Sequence, residues 1–280
     1  MSAPPLYVPL VTPFAADGGV AYDALEALAR QLLADGAAGL VALGTTGEPE
    51  SLDAAERAAV TELVGRVCRE AGARFVAGIG HGGRDGGTEP GAWPVVPDAL
   101  LATVPAFVRP GEAGVVAHFT RLAERSAVPL LVYHVPYRTG QPLTARALRE
   151  LAAVPGVAGV KYAVGGIDAE TVDLLGDRPA GFEVLAGDDV FAPALLALGA
   201  TGVIAASAHL DTAAWAELAA TGDRVLGHRL AARAAALFRE PNPTVIKAAL
   251  HAQGRIPTPG VRLPLLPAGA DSLAAVRLGT

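Results

Sequence analysis

Only two of the chain's 22 basic residues are lysines, Lys161 and Lys247, and lysine can act as a nucleophile, so their positions are informative. Lys161 follows the apolar run 157–160, at the predicted end of a buried strand. Apolar surroundings lower the pKa of an ammonium group, and the neutral amine can attack a carbonyl carbon to form a Schiff base. The competing interpretation is that Lys161 reaches solvent or pairs with Asp188 or Asp189. Lys247 lies on a late predicted helix, where we expect a solvated or interface role.

Hydroxyl and guanidinium groups follow two other predicted strands. Tyr133 ends one of them, and its phenol could relay protons beside a Schiff base. Arg138, a few residues later, could bind a carboxylate through two hydrogen bonds. The turn Gly44–Glu48 carries Thr45 and Thr46, whose hydroxyls and neighbouring backbone N–H groups could hold another carboxylate. Structural roles compete with each interpretation: a core aromatic for Tyr133, a surface ion pair for Arg138 and a hydrogen-bonded turn for the threonines.

Neither metal nor disulfide chemistry is expected. The adjacent carboxylates of Asp188 and Asp189 have no clustered histidine, and such pairs more often belong to a loop and a helix cap. Cys68 is the only cysteine, which excludes an internal disulfide and a multi-cysteine zinc site. It lies among valines on a predicted helix, so we expect a small core residue.

The elements that position these residues are predicted by alternating apolar runs and segments of helical period, the pattern of βα units. Eight runs have strand character: Leu6–Val11, Gly39–Leu43, Arg74–Ile79, Ala99–Val104, Pro129–Val135, Val157–Tyr162, Glu183–Ala186 and Gly202–Ala206. They predict an α/β fold, a (β/α)8 TIM barrel with its active face at the carboxyl ends of the strands. We expect the barrel over residues 1–210 and a C-terminal helical extension packed on it over residues 211–280.

The predicted helices have one gap. Asp53 and Thr144 are candidate N-terminal caps. Segment His81–Pro97 stands where the third barrel helix belongs, yet it holds five glycines and three prolines. Because glycine costs roughly 1 kcal/mol and proline roughly 3 kcal/mol inside a helix, we predict that this helix is degenerate or missing. The clearest helical stretches are Tyr22–Leu33, Ala54–Glu70, Glu112–Arg125, Ala145–Ala153 and Ala169–Leu175, followed in the extension by Thr212–Ala220, Asp223–Phe238 and Pro243–Gln253.

Composition argues against nucleic acid and membranes as partners. The chain is 51% apolar and 18% charged with a mean hydropathy of +0.38, which excludes disorder. Its net charge is −6 and its basic residues are scattered, so no patch could neutralise phosphates or anionic lipids. Residues 191–210 are apolar enough for a membrane span, but glycine and proline divide them into a buried helix and a strand. With no secretory signal and one cysteine, we expect a cytoplasmic protein.

Six short motifs, taken in order and spacing, carry a resemblance to a known family: Gly44–Glu48, Tyr133–Gly140, Gly159–Lys161, Gly187–Asp189, Gly202–Ile204 and Asn242–Lys247. The chain resembles the dihydrodipicolinate synthase and N-acetylneuraminate lyase family, the pyruvate-dependent class I aldolases. The match extends from residue 11 to residue 265 and is closest to the synthases. It implies a small-molecule substrate and a homodimer or homotetramer, and the sequence leaves the choice between these oligomers open.

The resemblance also implies roles for individual residues. Lys161 would form an imine with pyruvate, so that no cofactor or metal is needed beyond this covalent bond. Thr45 and Thr46 would bind the pyruvate carboxylate, and Tyr133 would handle protons at the imine carbon. These roles agree with the positions at which the strand pattern places the residues.

The second substrate is implied by Arg138, which matches the arginine that synthases use on the carboxylate of aspartate semialdehyde. Gly187 and Ile204 lie in matched motifs, and we expect both to line the substrate site. An alternative is a 2-keto-3-deoxy sugar-acid aldolase or dehydratase of the same family. A second alternative is a non-catalytic paralogue that binds a keto acid.

Departures from the family pattern motivate these alternatives. Val104–Phe107 stands where the family reads Thr-Pro-Tyr-Tyr, so Phe107 lacks the hydroxyl that joins the relay of Tyr133 and a threonine across a subunit contact. Loss of a positioned proton-transfer group lowers rates by about 10²- to 10⁴-fold. His134 replaces an asparagine, and Tyr162 follows the lysine. Strand alternation directs both of these side chains away from the site, so neither should replace the lost hydroxyl.

Overall fold

Eight parallel strands close into a barrel in the computed structural model, which describes residues 3–80 and 93–278. The strands are β1 (Leu6–Pro9), β2 (Gly39–Ala42), β3 (Arg74–Gly78), β4 (Ala99–Thr103), β5 (Leu130–His134), β6 (Val157–Tyr162), β7 (Glu183–Ala186) and β8 (Gly202–Ile204). Each strand pairs with the next, and β8 pairs with β1. The predicted (β/α)8 barrel is confirmed, with several strands ending one or two residues earlier than the sequence pattern indicated.

Alternation along the strands separates two buried layers, because successive side chains of a strand point to opposite faces. One cluster fills the barrel and includes Leu131, Tyr133 and Leu185. The other lies between the strands and the helices and includes Tyr162. In the strand register Lys161 is level with Tyr133 on β5 and with Leu185 on β7. The register therefore brings Lys161 beside the tyrosine inside the barrel.

The helices surround the barrel, and Asp53 and Thr144 cap two of them as predicted through bonds from backbone N–H groups. Helices α4 and α11 were not predicted. The helices are α1 (Tyr22–Ala34), α2 (Ala54–Ala71), α3 (Gly111–Arg125), α4 (Pro136–Thr139), α5 (Ala145–Ala152), α6 (Ala169–Gly176), α7 (Ala192–Ala197), α8 (Ala208–Thr221), α9 (Arg224–Leu237), α10 (Thr244–Ala252) and α11 (Ala270–Leu278).

The connection between β3 and β4 includes the predicted irregular segment. Residues 81–92 of that segment lie outside the described residues. Residues 93–97 contain neither helix nor strand. Where the chain is described, the prediction of irregular structure is confirmed.

The chain after β8 continues into helices that lie on the barrel and on one another. Helix α8 contacts β1, α10 contacts α8 and α11, and α11 contacts α9. Helix α7 and strand β8 confirm that residues 191–210 form a helix and then a strand. Across residues 3–80 and 93–278, no helix is both long and apolar enough to cross a bilayer. We propose that the extension begins at residue 211, which lies inside α8.

Candidate active site

Lys161 lies at the carboxyl end of β6 with 7% of its surface exposed. Its Nζ atom is 4.3 Å from the centre of the Tyr133 ring. Burial lowers the pKa of the lysine to about 8, and the carboxylate of Asp189 partly opposes this shift. A lysine with this pKa is neutral in an appreciable fraction of molecules near neutral pH, as a Schiff-base nucleophile must be.

The neighbouring carboxylates leave the amine free. Asp189 is buried, and its Oδ2 accepts a 2.6 Å hydrogen bond from the backbone N–H of Ser207. Burial raises the pKa of this carboxyl to about 6, and the bond from Ser207 opposes the rise. No salt bridge within 4.0 Å joins Lys161 to a carboxylate among the described residues. The sequence-based alternative of a lysine paired with Asp188 or Asp189 is therefore not the observed arrangement.

Gly187 gives the lysine stem its room. A Cβ atom at this position would lie 2.5 Å from Cγ of Lys161 and 2.8 Å from its Cε. Such distances are far inside van der Waals contact, so any larger residue would displace the lysine. The glycine is thus required by the close approach of the two strands' ends.

Thr45 and Thr46 belong to a short 3₁₀ turn, Thr45–Gly47, that follows β2. The turn ends at Glu48, which has a left-handed backbone with φ of 52°. The hydroxyl of Thr12, which follows β1, donates a 2.8 Å hydrogen bond to the carbonyl of Gly47 and holds the turn against that strand. Thr45 is exposed toward the barrel mouth, whereas Thr46 is buried.

Tyr133 is 7% exposed and lines the same cavity as Thr45, Thr46 and Lys161. Burial raises the pKa of its phenol, and the charge of Arg138 and a hydrogen bond with Thr45 oppose the rise. The phenol is therefore protonated near neutral pH and can donate as well as accept. Arg138, on the short helix α4, extends its guanidinium to within 5.8 Å of the Tyr137 ring centre and faces the same mouth.

Two adjoining cavities meet at these residues. The smaller has a volume of about 350 Å³ and is lined by every site residue that the sequence predicted: Thr45, Thr46, Tyr133, Arg138, Lys161, Gly187 and Ile204. The larger, of about 570 Å³, has both apolar and polar lining residues and shares Thr45, Tyr133, Arg138, Pro241 and Asn242 with the smaller one. The barrel thus brings together, from the ends of five strands, residues that are far apart in the chain.

His134 and Tyr162 lie outside both cavities, as strand alternation predicted. The Tyr162 hydroxyl is 3.0 Å from that of Thr171 on α6, and the two rings of His134 and Tyr162 are 5.8 Å apart. Burial lowers the pKa of His134 to about 4, so this imidazole is neutral. Phe107 lines neither cavity and is 91% exposed on the loop after β4.

Sequence reasoning missed two residues of the site. Asn242, before α10, lines both cavities and donates from Nδ2 to the Thr46 hydroxyl over 2.8 Å. It lies in a recognised motif, which was the available signal. Thr103 ends β4 level with Tyr133 and lines the larger cavity. Its strand-end position, the same criterion that selected Tyr133, could have identified it.

The expectation of a solvated or interface role for Lys247 is wrong. The side chain is fully buried, and its Nζ lies 2.8 Å from Oε1 of Glu48, itself 2% exposed. Burial lowers the pKa of this lysine to about 8, and Glu48 opposes the shift. The apolar neighbours Val245 and Ile246 are buried too, so this whole part of α10 lies in the core.

Comparisons with known proteins identify the family of the chain. The sequence profile described as "Dihydrodipicolinate synthetase family" matches residues 4–278. The 4-hydroxy-tetrahydrodipicolinate synthase of Neisseria meningitidis serogroup B is 35% identical over 282 residues, which are 96% of this chain and 95% of that one.

Solved structures extend the comparison. The dihydrodipicolinate synthase of Acinetobacter baumannii, determined in complex with pyruvate, has a TM-score of 0.91 and 31% identity, covering 99% of this chain and 98% of its own. The synthase of Thermotoga maritima has a TM-score of 0.92 and 27% identity, covering 100% and 98%. The chain therefore belongs to the dihydrodipicolinate synthetase family and is, like its members, a pyruvate-dependent lyase of the class I, Schiff-base type.

Proposed function

We propose that this enzyme condenses pyruvate with aspartate semialdehyde through an imine on Lys161. The observation that carries the proposal is the smaller cavity, in which a desolvated lysine, a protonated phenol, two threonine hydroxyls and an arginine share one volume of about 350 Å³. These are the groups that imine formation with a keto acid requires: a nucleophile, a proton donor and binding partners for carboxylates.

The reaction begins at the neutral amine of Lys161, which attacks C2 of pyruvate. The carbinolamine loses water to give the imine, and a proton leaves the methyl carbon to give an enamine. The enamine carbon attacks the aldehyde carbon of the second substrate, whose oxygen takes up a proton. The amino group of that substrate then displaces Lys161, closes the ring and returns the free amine.

Other residues orient the substrates and move protons. The hydroxyls of Thr45 and Thr46 donate to the pyruvate carboxylate, and Gly187 and Ile204 form the walls beside it. The Tyr133 phenol gives and takes the protons of the carbinolamine and imine steps, since burial keeps it protonated. No metal or further cofactor enters this sequence of steps.

Arg138 favours aspartate semialdehyde over sugar acids as the second substrate. Arg138 lines both cavities, so its guanidinium can bind the carboxylate of an aldehyde substrate in either of them. Turnover of aspartate semialdehyde, compared with cleavage of 2-keto-3-deoxy sugar acids, tests this choice. Turnover of the sugar acids alone would assign the chain to the lyase branch.

We further propose that the chain functions as a homo-oligomer in the cytoplasm. Phe107 and Val108 are 91% and 72% exposed, which places two apolar side chains side by side at the surface. A second copy that covers this corner would remove both from water. Sedimentation at micromolar concentration tests the proposal, and a monomer would contradict it.

The decisive experiment is incubation with pyruvate and borohydride, which reduces an imine to a stable amine. We expect intact mass to show one reduced pyruvyl adduct per chain and peptide mapping to locate it on Lys161. An unmodified Lys161 would exclude the proposed chemistry and favour a paralogue that binds a keto acid without reacting with it.

A further inference from the structure

The turn that carries Thr45 and Thr46 is held by the C-terminal extension. We call residues 44–48 the threonine loop. Oε1 of Glu48 forms a 2.8 Å salt bridge with Nζ of Lys247 on α10. The hydroxyl of Thr46 accepts a 2.8 Å hydrogen bond from Nδ2 of Asn242. Both partners lie almost 200 positions later in the chain, within one short segment of the extension.

The Glu48 contact is closed to water. Lys247 is fully buried, and its Nζ also lies 3.9 Å from the ring centre of Phe14. The second oxygen of Glu48 accepts a 2.9 Å hydrogen bond from the backbone N–H of Arg262. Each carboxylate oxygen therefore has one donor, and both donors belong to the extension. A buried pair in this environment is rigid, because either charge would be strongly destabilised without its partner.

Glu48 needs such a restraint for a local reason. Its φ of 52° lies in the left-handed region, which is unfavourable for a residue with a side chain. The same residue ends the 3₁₀ turn that presents the two threonines. The bond to Lys247 thus holds the backbone in the conformation that directs the turn toward the cavity.

The Asn242 contact determines the direction of a proton. A hydroxyl has one proton and two lone pairs. Because the Thr46 oxygen already accepts the amide N–H of Asn242, the hydroxyl proton remains available to a different acceptor. In the smaller cavity that acceptor would be the carboxylate of a keto acid, which can only accept hydrogen bonds.

We infer that Lys247 and Asn242 are positioning residues of the keto-acid site, so that the extension fixes the loop that binds the pyruvate carboxylate. The inference rests on the proposed function. It assigns to the extension a part in substrate affinity: the extension acts through Glu48 on the backbone of the threonine loop and through Thr46 on the donor itself. A pair that served stability alone would leave affinity unchanged in every molecule that remains folded.

The test compares two truncated ion pairs. Lys247→Met removes the partner of Glu48, and Arg233→Met removes the partner of Asp211, a largely shielded pair that joins α9 to α8 away from the threonine loop. Both variants should melt at lower temperature than the wild type. The pyruvate concentration that gives half-maximal borohydride trapping on Lys161 should rise at least tenfold in Lys247→Met and stay within twofold in Arg233→Met.

A second pair of variants keeps the inference testable if Lys247→Met does not fold. In Asn242→Asp the carboxylate accepts the Thr46 proton and removes it from the substrate, whereas Asn242→Ala only frees the hydroxyl to rotate. We expect the half-maximal pyruvate concentration to rise about tenfold or more in the first variant and less in the second, with a smaller change in the maximal trapping rate.

Each outcome has one meaning. Equal pyruvate dependence in Lys247→Met and Arg233→Met, or wild-type dependence in both Asn242 variants, would overturn the inference while leaving the proposed function intact. Absence of any adduct in the wild type would instead overturn the proposed function and this inference with it.

Discussion

The two lysines of this chain are both buried, but the groups around them differ. Burial lowers the pKa of both Lys161 and Lys247 to about 8. At the barrel mouth Lys161 faces a cavity and has no salt bridge among the described residues. At the junction of barrel and extension, Lys247 touches Glu48 at 2.8 Å and is closed off completely.

The difference teaches that desolvation alone does not make a nucleophile. The amine of Lys247 is held by a carboxylate and has no space in which a carbonyl could approach. The amine of Lys161 has both space and a nearby phenol, while Asp189 is engaged by the backbone of Ser207. We propose that access to a cavity and the absence of a carboxylate partner distinguish the imine-forming Lys161 from the structural Lys247, and the predictions below test that distinction.

The largest expected effect is that of Lys161→Met. The variant should lose all borohydride-trapped adduct and at least about 10³-fold of turnover, because the covalent step has no other nucleophile. Peptide mapping after pyruvate and borohydride measures the first, and a coupled assay the second. An adduct that moves to Lys247 would break the comparison between the two lysines.

The same variant should be more stable than the wild type at pH 7. A lysine whose pKa falls from 10.5 to about 8 destabilises the folded protein below pH 8, and this penalty disappears between pH 8 and pH 10.5. Removing the amine should therefore raise the free energy of unfolding by roughly 1–3 kcal/mol at pH 7. Lys247→Met should do the opposite, by about 3–5 kcal/mol, since it leaves Glu48 buried without its cation.

The next largest effect concerns the phenol beside the reactive lysine. Tyr133→Phe should lower kcat by about 10²- to 10⁴-fold, because we propose that the phenol carries the protons of the imine steps. Tyr162→Phe is the matched control, since its hydroxyl faces Thr171 behind the strand. We expect this control to lose some stability and to keep kcat within about threefold, and a kcat loss like that of Tyr133→Phe would contradict the assignment.

Crowding the stem of Lys161 should weaken the site without touching its polar groups. In Gly187→Ala the new methyl group would meet Cγ of Lys161 at 2.5 Å, so the amine must move. A displacement of about 1 Å costs on the order of 10²-fold in rate, and we expect a loss of that size in trapping. Gly166→Ala, where nothing lies within 4 Å, should behave as the wild type. An unaffected Gly187→Ala would mean that the lysine does not need its observed position.

Much of the comparison could be predicted from sequence because it depends on local periodicity. Side chains alternate between the two faces of a strand, so the pattern predicts that Tyr133 and Lys161 point inward. His134 and Tyr162 then point outward, and closure of the barrel brings the strand ends together. The interior clusters agree with this pattern. The approach works here because each of these residues belongs to a regular strand.

The junction could not be predicted in the same way. The environment of Lys247 depends on Glu48, which is 199 positions away, and on how α10 lies against the barrel. The helical period of a sequence indicates which residues face inward, but it does not identify the charged residue that they will contact. The apolar neighbours of Lys247 did indicate burial, which the prediction of a solvated role did not take into account. The role of Asn242 has the same origin, since its partner is 196 positions away.

A smaller effect is expected at Thr103, the hydroxyl that lines the larger cavity level with Tyr133. Phe107 supplies no hydroxyl, and Thr103 is a strand-end hydroxyl residue that shares the larger cavity with Tyr133 and Thr45, so we propose it as a continuation of the proton path. Thr103→Val keeps the side-chain shape, and we expect it to lower kcat by about tenfold. Thr103→Ser retains the hydroxyl and should restore most of the activity. Equal kcat in the valine and serine variants would remove Thr103 from the path.

The smallest effect sharpens the comparison through charge alone. The carboxylate of Asp189 raises the pKa of Lys161 against the effect of burial, and Asp188 does so to a lesser extent. In Asp189→Asn the amide oxygen can still accept the Ser207 N–H, but the negative charge is lost. The pKa of Lys161 should fall below about 8, so that the amine becomes neutral at lower pH.

The measurement is the initial rate of pyruvate trapping between pH 6 and pH 9. The midpoint of its rise should move to lower pH by about one unit in Asp189→Asn. This is the change expected if the Asp189 charge stabilises the ammonium form of Lys161 by about 1.4 kcal/mol. Asp188→Asn, the matched control, should move the midpoint less. A midpoint that stays in place or rises would contradict a direct effect of the Asp189 charge on Lys161. The two lysines would then differ only in the cavity beside Lys161 and in the Glu48 partner of Lys247.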